Sequence, residues 1–149
     1  MLKRVILFGH TGSRNRGCDA LVKSSADLFH MVDPNLEVVL ITPRKSEDMV
    51  MGFDEYDSVI QSAGFENTPI RRIVMLIVKK LLRNDKLAYK IKFAFIDDKI
   101  MKDAMVLVVG GDTYCYGDAM LAQYEFITNL CREKKRLAFY GVPLLMKKL

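Results

Sequence analysis

Apolar residues run along this chain in two patterns: short solid blocks, and stretches where they recur every third or fourth position. A solid block bounded by turn residues reads as a strand covered on both faces, and the wider spacing reads as an amphipathic helix. Val5 to Phe8 is the first block, and Gly9 ends it. Gly9 to Gly17 reads as a loop. A helix follows, with Ala20, Leu21, Ser24, Leu28 and Met31 on or near one face. It stops before Pro34, because proline disfavours helix in the residue ahead of it. Val38 to Ile41 is the second block, closed by Thr42 and Pro43. A strand, helix and parallel strand joined this way imply a right-handed crossover.

The pattern is less regular over residues 44–68, where it predicts a short helix around Ser46 to Met51 and a short strand near Ser58 to Gln61. Pro69 suits the first turn of a helix that runs to about Arg83. Lys86 to Met101 reads as another helix, basic on one side. Met105 to Val109 is a buried strand that stops at Gly110-Gly111-Asp112. Gly117 or Asp118 opens a helix to about Glu133, and Leu137 to Tyr140 is a last strand, ended by Gly141-Val142-Pro143. This alternation predicts an α/β fold with a doubly wound, mostly parallel, Rossmann-like sheet in one domain over residues 1–149.

Composition narrows the class. Half of the 149 residues are hydrophobic, enough for a real core. The longest apolar run, Ile73 to Val78, falls far short of the roughly 20 residues a membrane helix needs. The N-terminal block reads as a strand, not a signal peptide. Cys18, Cys115 and Cys131 are odd in number and far apart, which suits reduced thiols in a cytoplasm. With no CxxC and only His10 and His30 as imidazoles, no metal site is expected, and no cofactor.

The formal net charge is +5, but ten cations and only three anions lie between Pro69 and Lys102. Two readings stand. One is a pair of solvated amphipathic helices. The other is a surface for an anionic partner, such as a phosphorylated lipid headgroup or a polyanionic glycan, with peripheral contact to the inner membrane face. Nucleic acid is not expected, because no recognition motif or interleaved aromatics accompany the charge.

Ligands of open α/β sheets bind beyond the carboxyl ends of the strands. The first loop carries Gly9, Gly12 and Gly17 and leads into a helix N-terminus, whose free N–H groups and dipole favour an anion. Arg14 and Arg16 add to that field. The other reading is a tight connection with no ligand. His10 is either a turn residue or a ligand contact, and His30 is structural. Known phosphate loops do not fit. Gly12 and Gly17 have P-loop spacing, but Cys18-Asp19 stand where lysine and a hydroxyl residue are needed. The dinucleotide fingerprint fails too, since its glycine spacing is wrong and Thr42-Pro43-Arg44 follow the second strand. In the second loop, Asp112 either orients a substrate hydroxyl or acts as a base, or else shapes the turn. Cys115 reads as a small filler.

Two motifs together resemble a known family. Asn15-x-Gly17-x-x-Ala20-Leu21, after a strand and glycine loop, is similar to the start of polysaccharide pyruvyl transferases. Val108-Val109-Gly110-Gly111-Asp112-Thr113-Tyr114-Cys115-Tyr116-Gly117 is similar to that family's second glycine motif. The resemblance implies the N-terminal domain of a fold like that of GT-B glycosyltransferases. It implies transfer of pyruvate from phosphoenolpyruvate to two sugar hydroxyls as a ketal, in surface polysaccharide biosynthesis. Asp112 and Asp19 would then serve the acceptor hydroxyls. Arg14, Arg16 and His10 would meet anionic groups. Gly9, Gly12, Asn15, Gly17, Gly110, Gly111 and Thr113 would complete the substrate contacts. The chain stops after Leu149, where the family continues into a second domain, so the resemblance covers one half of such an enzyme. An exposed cleft face predicts a homo-oligomer or a partner chain. Two alternatives remain open: a non-catalytic domain that binds a glycan or nucleotide-sugar, and half of another GT-B-like glycosyltransferase.

Overall fold

The computed structural model describes residues 2–52, 54–61, 69–81, 83–84, 87–88, 98–109, 117–132 and 136–140. Among these, five strands form one sheet: β1 (Arg4–Phe8), β2 (Glu37–Thr42), β3 (Ser58–Gln61), β4 (Ala104–Val109) and β5 (Arg136–Tyr140). Five helices connect or follow them: α1 (Arg16–Val32), α2 (Lys45–Val50), α3 (Pro69–Lys80), α4 (Asp98–Met101) and α5 (Gly117–Arg132). The strand order is β3-β2-β1-β4-β5, and every pair is parallel. This is a Rossmann-like α/β sheet, as the alternating pattern predicts.

β1 lies at the centre, with Leu7 beside Leu40 of β2 on one edge and Leu107 of β4 on the other. Its side chains alternate between two buried layers. Val5 and Leu7 pack with Val38, Leu40 and Val109 against Val22 and Ala26 of α1. Ile6 and Phe8 pack with Val39, Ile41, Val106 and Val108 against Phe126, Ile127 and Leu130 of α5. The Phe8 and Phe126 rings meet at 4.8 Å, tilted by 43°. Both faces of β1 are dry, which explains its unbroken apolar block.

The helices begin and end on local signals. Asn15 caps α1, its Oδ1 accepting from the Gly17 and Cys18 N–H groups. α1 ends at Val32, and the Asp33 N–H donates to the Phe29 carbonyl just ahead of Pro34. The core face of α1 differs from the stripe expected from spacing. Of that stripe Leu21 is half-buried and packs on the core, but Ala20, Ser24, Leu28 and Met31 face outward, while Cys18, Asp19, Val22, Ser25 and Ala26 are buried. Two apolar stripes of helical spacing share this helix, and only the fit of the smaller one to the sheet selects between them. The middle of the expected Lys86–Met101 helix lies outside the described residues, as does the loop over residues 110–116. No helix among the described residues is long and apolar enough to cross a membrane.

Ile6 is fully buried and Met31 is 82% exposed. Ile6→Ala should therefore cost about 2–5 kcal/mol in urea unfolding. Met31→Ala should change stability by no more than about 0.5 kcal/mol.

Candidate functional site

The order β3-β2-β1-β4-β5 makes β1 and β4 the point where the chain changes direction across the sheet. Crevices form at such points beyond the carboxyl ends of the strands. β1 delivers Gly9 there, with φ at +100°. Gly12 follows with φ at +115°, and a Cβ on it would lie 3.0 Å from Cδ of Arg44. The backbone conformation is what calls for glycine at this position, since the exposed Arg44 side chain could yield. The Asn15 N–H closes the turn on the Gly12 carbonyl at 3.2 Å.

A buried carboxylate holds this loop. Asp48 of α2 is 1% exposed. Its Oδ1 accepts from the Ser13 N–H at 2.7 Å and faces His10 Nε2 at 3.4 Å. Its Oδ2 accepts a hydrogen bond from the Thr42 hydroxyl. Thr42 Oγ1 in turn accepts from the Arg44 N–H at 3.1 Å. Asp48 thus ties the first loop to the end of β2. Burial works against its charge, but the Thr42 and Ser13 hydrogen bonds and His10 outweigh that and hold its carboxyl below the usual range.

The His10 side chain is fully buried against this carboxylate. Burial lowers its pKa from the ordinary 6.5, although Asp48, Asp19 and Glu47 pull the other way. His10 is therefore neutral at pH 7. A carboxylate only accepts, so the ring proton sits on Nε2 and Nδ1 is left as a bare acceptor. Nδ1 is buried and has no hydrogen-bond partner among the described residues.

The rim above this cluster is cationic. Arg14 pairs with Glu47 at 3.1 Å yet keeps 75% of its side chain exposed. Arg44 reaches the same Glu47 oxygen at 3.4 Å. Arg16 is exposed at the start of α1. The Gly17 and Cys18 N–H groups, expected to face an anion, are taken by Asn15 at 3.2 and 3.3 Å. Asp19 is turned into the protein, with Oδ2 3.9 Å from Lys23 Nζ and Oδ1 buried without a hydrogen bond among the described residues. The buried Tyr56 hydroxyl lies near it. Burial, followed by the charges of Asp19 and Glu55, raises its pKa well above the usual range. Tyr56 therefore keeps its proton, and its hydroxyl has no hydrogen-bond partner among the described residues.

Gly9, His10, Gly12, Arg14, Asn15, Arg16, Gly17 and Asp19 thus share one corner of the fold. Gly110, Gly111, Asp112 and Thr113 lie outside the described residues. The chain leaves β4 at Val109, and Val108 is in register with Phe8. The sequence reading missed Ser13, Thr42, Arg44, Glu47 and Asp48. One signal was available: Glu47-Asp48 is an acidic pair opening a helix, in a chain whose first loop carries Arg14 and Arg16. No group of three or more metal-binding side chains occurs among the described residues.

No protein-family model matches this chain, and no curated protein or solved structure matches it. The fold is what stands. The chain carries a Rossmann-like α/β sheet with an arginine-rimmed glycine loop at its switch point.

Two measurements check the buried cluster. Asp48→Ala strands the Ser13 N–H and the Thr42 hydroxyl, and should lower stability by about 3 kcal/mol. Acid should act in two stages. The His10 pKa falls on folding, so the unfolded chain takes up its proton first and stability declines as pH drops below 6.5. The Asp48 pKa also falls on folding, so its contribution is lost only at pH values below 3.8. In urea unfolding at a series of pH values, His10→Gln should flatten the upper stage and leave the lower one.

Proposed function

We propose that this chain carries a polysaccharide pyruvyl transferase-like domain, resembling the N-terminal domain of a GT-B-like enzyme. One observation carries the reading: β1 and β4 are neighbours in register, so the two strands that lead into the family-like glycine motifs end side by side. The two motifs are far apart in sequence, and this pairing supports a single site built from both.

The chemistry makes definite demands. Transfer needs the enol carbon of phosphoenolpyruvate to be protonated while two sugar hydroxyls add to the neighbouring carbon and phosphate departs. It needs cations for the carboxylate and phosphate, and a base for the attacking hydroxyl. Arg14, Arg16 and Arg44 at the loop rim suit the anionic donor. Asp112 is the base we assign, with Asp19 beneath the loop. Such an enzyme would act in the cytoplasm on a membrane-bound or soluble glycan precursor.

A second reading is favoured by the burial of His10 and Asp19, which keeps both side chains out of the rim, where the carboxylate of Glu47 is paired with Arg14 and Arg44. On that reading the loop binds phosphate groups of a glycan precursor or nucleotide-sugar without chemistry of its own.

The full chain, mixed with phosphoenolpyruvate and sugar acceptors, should release phosphate. Asp112→Asn should lower turnover by about 100-fold, and Arg14→Ala should raise KM for phosphoenolpyruvate by roughly tenfold. Phosphoenolpyruvate or nucleotide-sugar binding by calorimetry with no phosphate release would select the second reading. Neither binding nor release would remove both.

A further inference from the structure

α3 is exposed along its apolar side. Ile70, Ile73, Val74 and Ile77 follow the i, i+3, i+4, i+7 spacing of one helical stripe, and Leu81 continues it. The Leu81 N–H donates to the Ile77 carbonyl at 2.8 Å, which extends the helical turn past Lys80. In an ordinary surface helix this stripe faces the core. Here these five residues are 75, 56, 41, 49 and 78% exposed, and Leu76 beside them is 55% exposed. Among the described side chains of α3, Val78 alone is buried. A solvated helix would turn polar residues outward, so solvation does not account for this face.

Charge identifies the occupant. Arg71 and Arg72 stand at one end of α3, and Lys79, Lys80 and Arg83 at the other, with no acid between Pro69 and Arg83. Lys79, Lys80 and Arg83 are exposed. An apolar stripe bordered by cations matches an anionic lipid surface, where the stripe enters the boundary of headgroups and acyl chains and the cations meet phosphates. A second copy of the chain fits poorly. Parallel or antiparallel, α3 against α3 would set one cluster of cations against another, and like charges oppose such a contact.

We infer that α3 is a membrane-surface helix that docks the protein on an anionic leaflet through Ile70, Ile73, Val74, Ile77 and Leu81. The inference is independent of the transferase reading, because it uses no residue of the loop at β1. It gives the basic segment a role that the glycine loop does not explain. The helix lies in the interface and does not span the bilayer.

Flotation of the full chain with phosphatidylcholine vesicles, with and without phosphatidylglycerol, tests it. The protein should float with the anionic vesicles and stay behind with the neutral ones. The double substitution Ile73→Asp, Ile77→Asp and the double substitution Lys79→Glu, Lys80→Glu should each weaken binding by at least about tenfold. These positions are exposed, so circular dichroism should show both variants folded. Failure of the wild-type chain to float, or equal flotation of wild type and both variants, would overturn the inference. So would a wild-type oligomer that ignores vesicles and becomes monomeric on Ile73→Asp, Ile77→Asp, since that result gives the face to a second copy.

Discussion

β1 is hydrogen-bonded on both edges and buried on both faces, and the rest of the fold is arranged around that strand. Its N–H and C=O groups are removed from water, so β2 and β4 must pair with it to satisfy them. Its alternating side chains then define two apolar layers, one closed by α1 and the other by α4 and α5. A strand enclosed in this way can change direction only at its end. Gly9 and Gly12 make that turn with positive φ, and α1 begins directly after it. The position of the candidate site follows from the burial of the strand that feeds it.

Asp48 governs the loop itself. A buried carboxylate carries a large desolvation cost, and it persists only where hydrogen bonds to the charged form exceed that cost. Ser13, Thr42 and His10 together do so, with the ion held by one backbone and one hydroxyl donor and by a neutral imidazole. The three come from the first loop and the end of β2, while Asp48 comes from α2. One charge therefore fastens three segments. Glu47, the adjacent residue, acts outside the core, where it draws Arg14 and Arg44 together at the rim. The helix thus presents one acid to the interior and one to the surface, and the cationic rim lies above a rigid base.

The chain's positive charge is divided between two places with different surroundings. At the loop rim, beyond the carboxyl end of the central strand, the guanidinium groups of Arg14 and Arg44 share an acidic partner. On α3 the cations border an uncovered apolar stripe, which suits an extended anionic surface. The same residue types carry different meaning because their neighbours differ.

The sequence alone determined the order and type of the elements. The apolar blocks at Val5, Val38 and Met105 mark strands, because a strand buried on both faces has no polar position to spare. The short strand Ser58 to Gln61 and the helix near Ser46 were legible as well, and Pro34 marked the end of α1. The glycine loop was legible as a turn, since glycine is favoured where the backbone turns with positive φ. Only the tertiary structure decided which stripe of α1 meets the sheet, because Leu28 and Met31 compete with Val22 and Ala26 at the same helical spacing. It alone joined Asp48 to Ser13 and His10, since a hydrogen bond across more than thirty residues leaves no mark in local pattern. It also turned the apolar side of α3 outward. Periodicity states that a helix has two faces, and only packing states which one is covered.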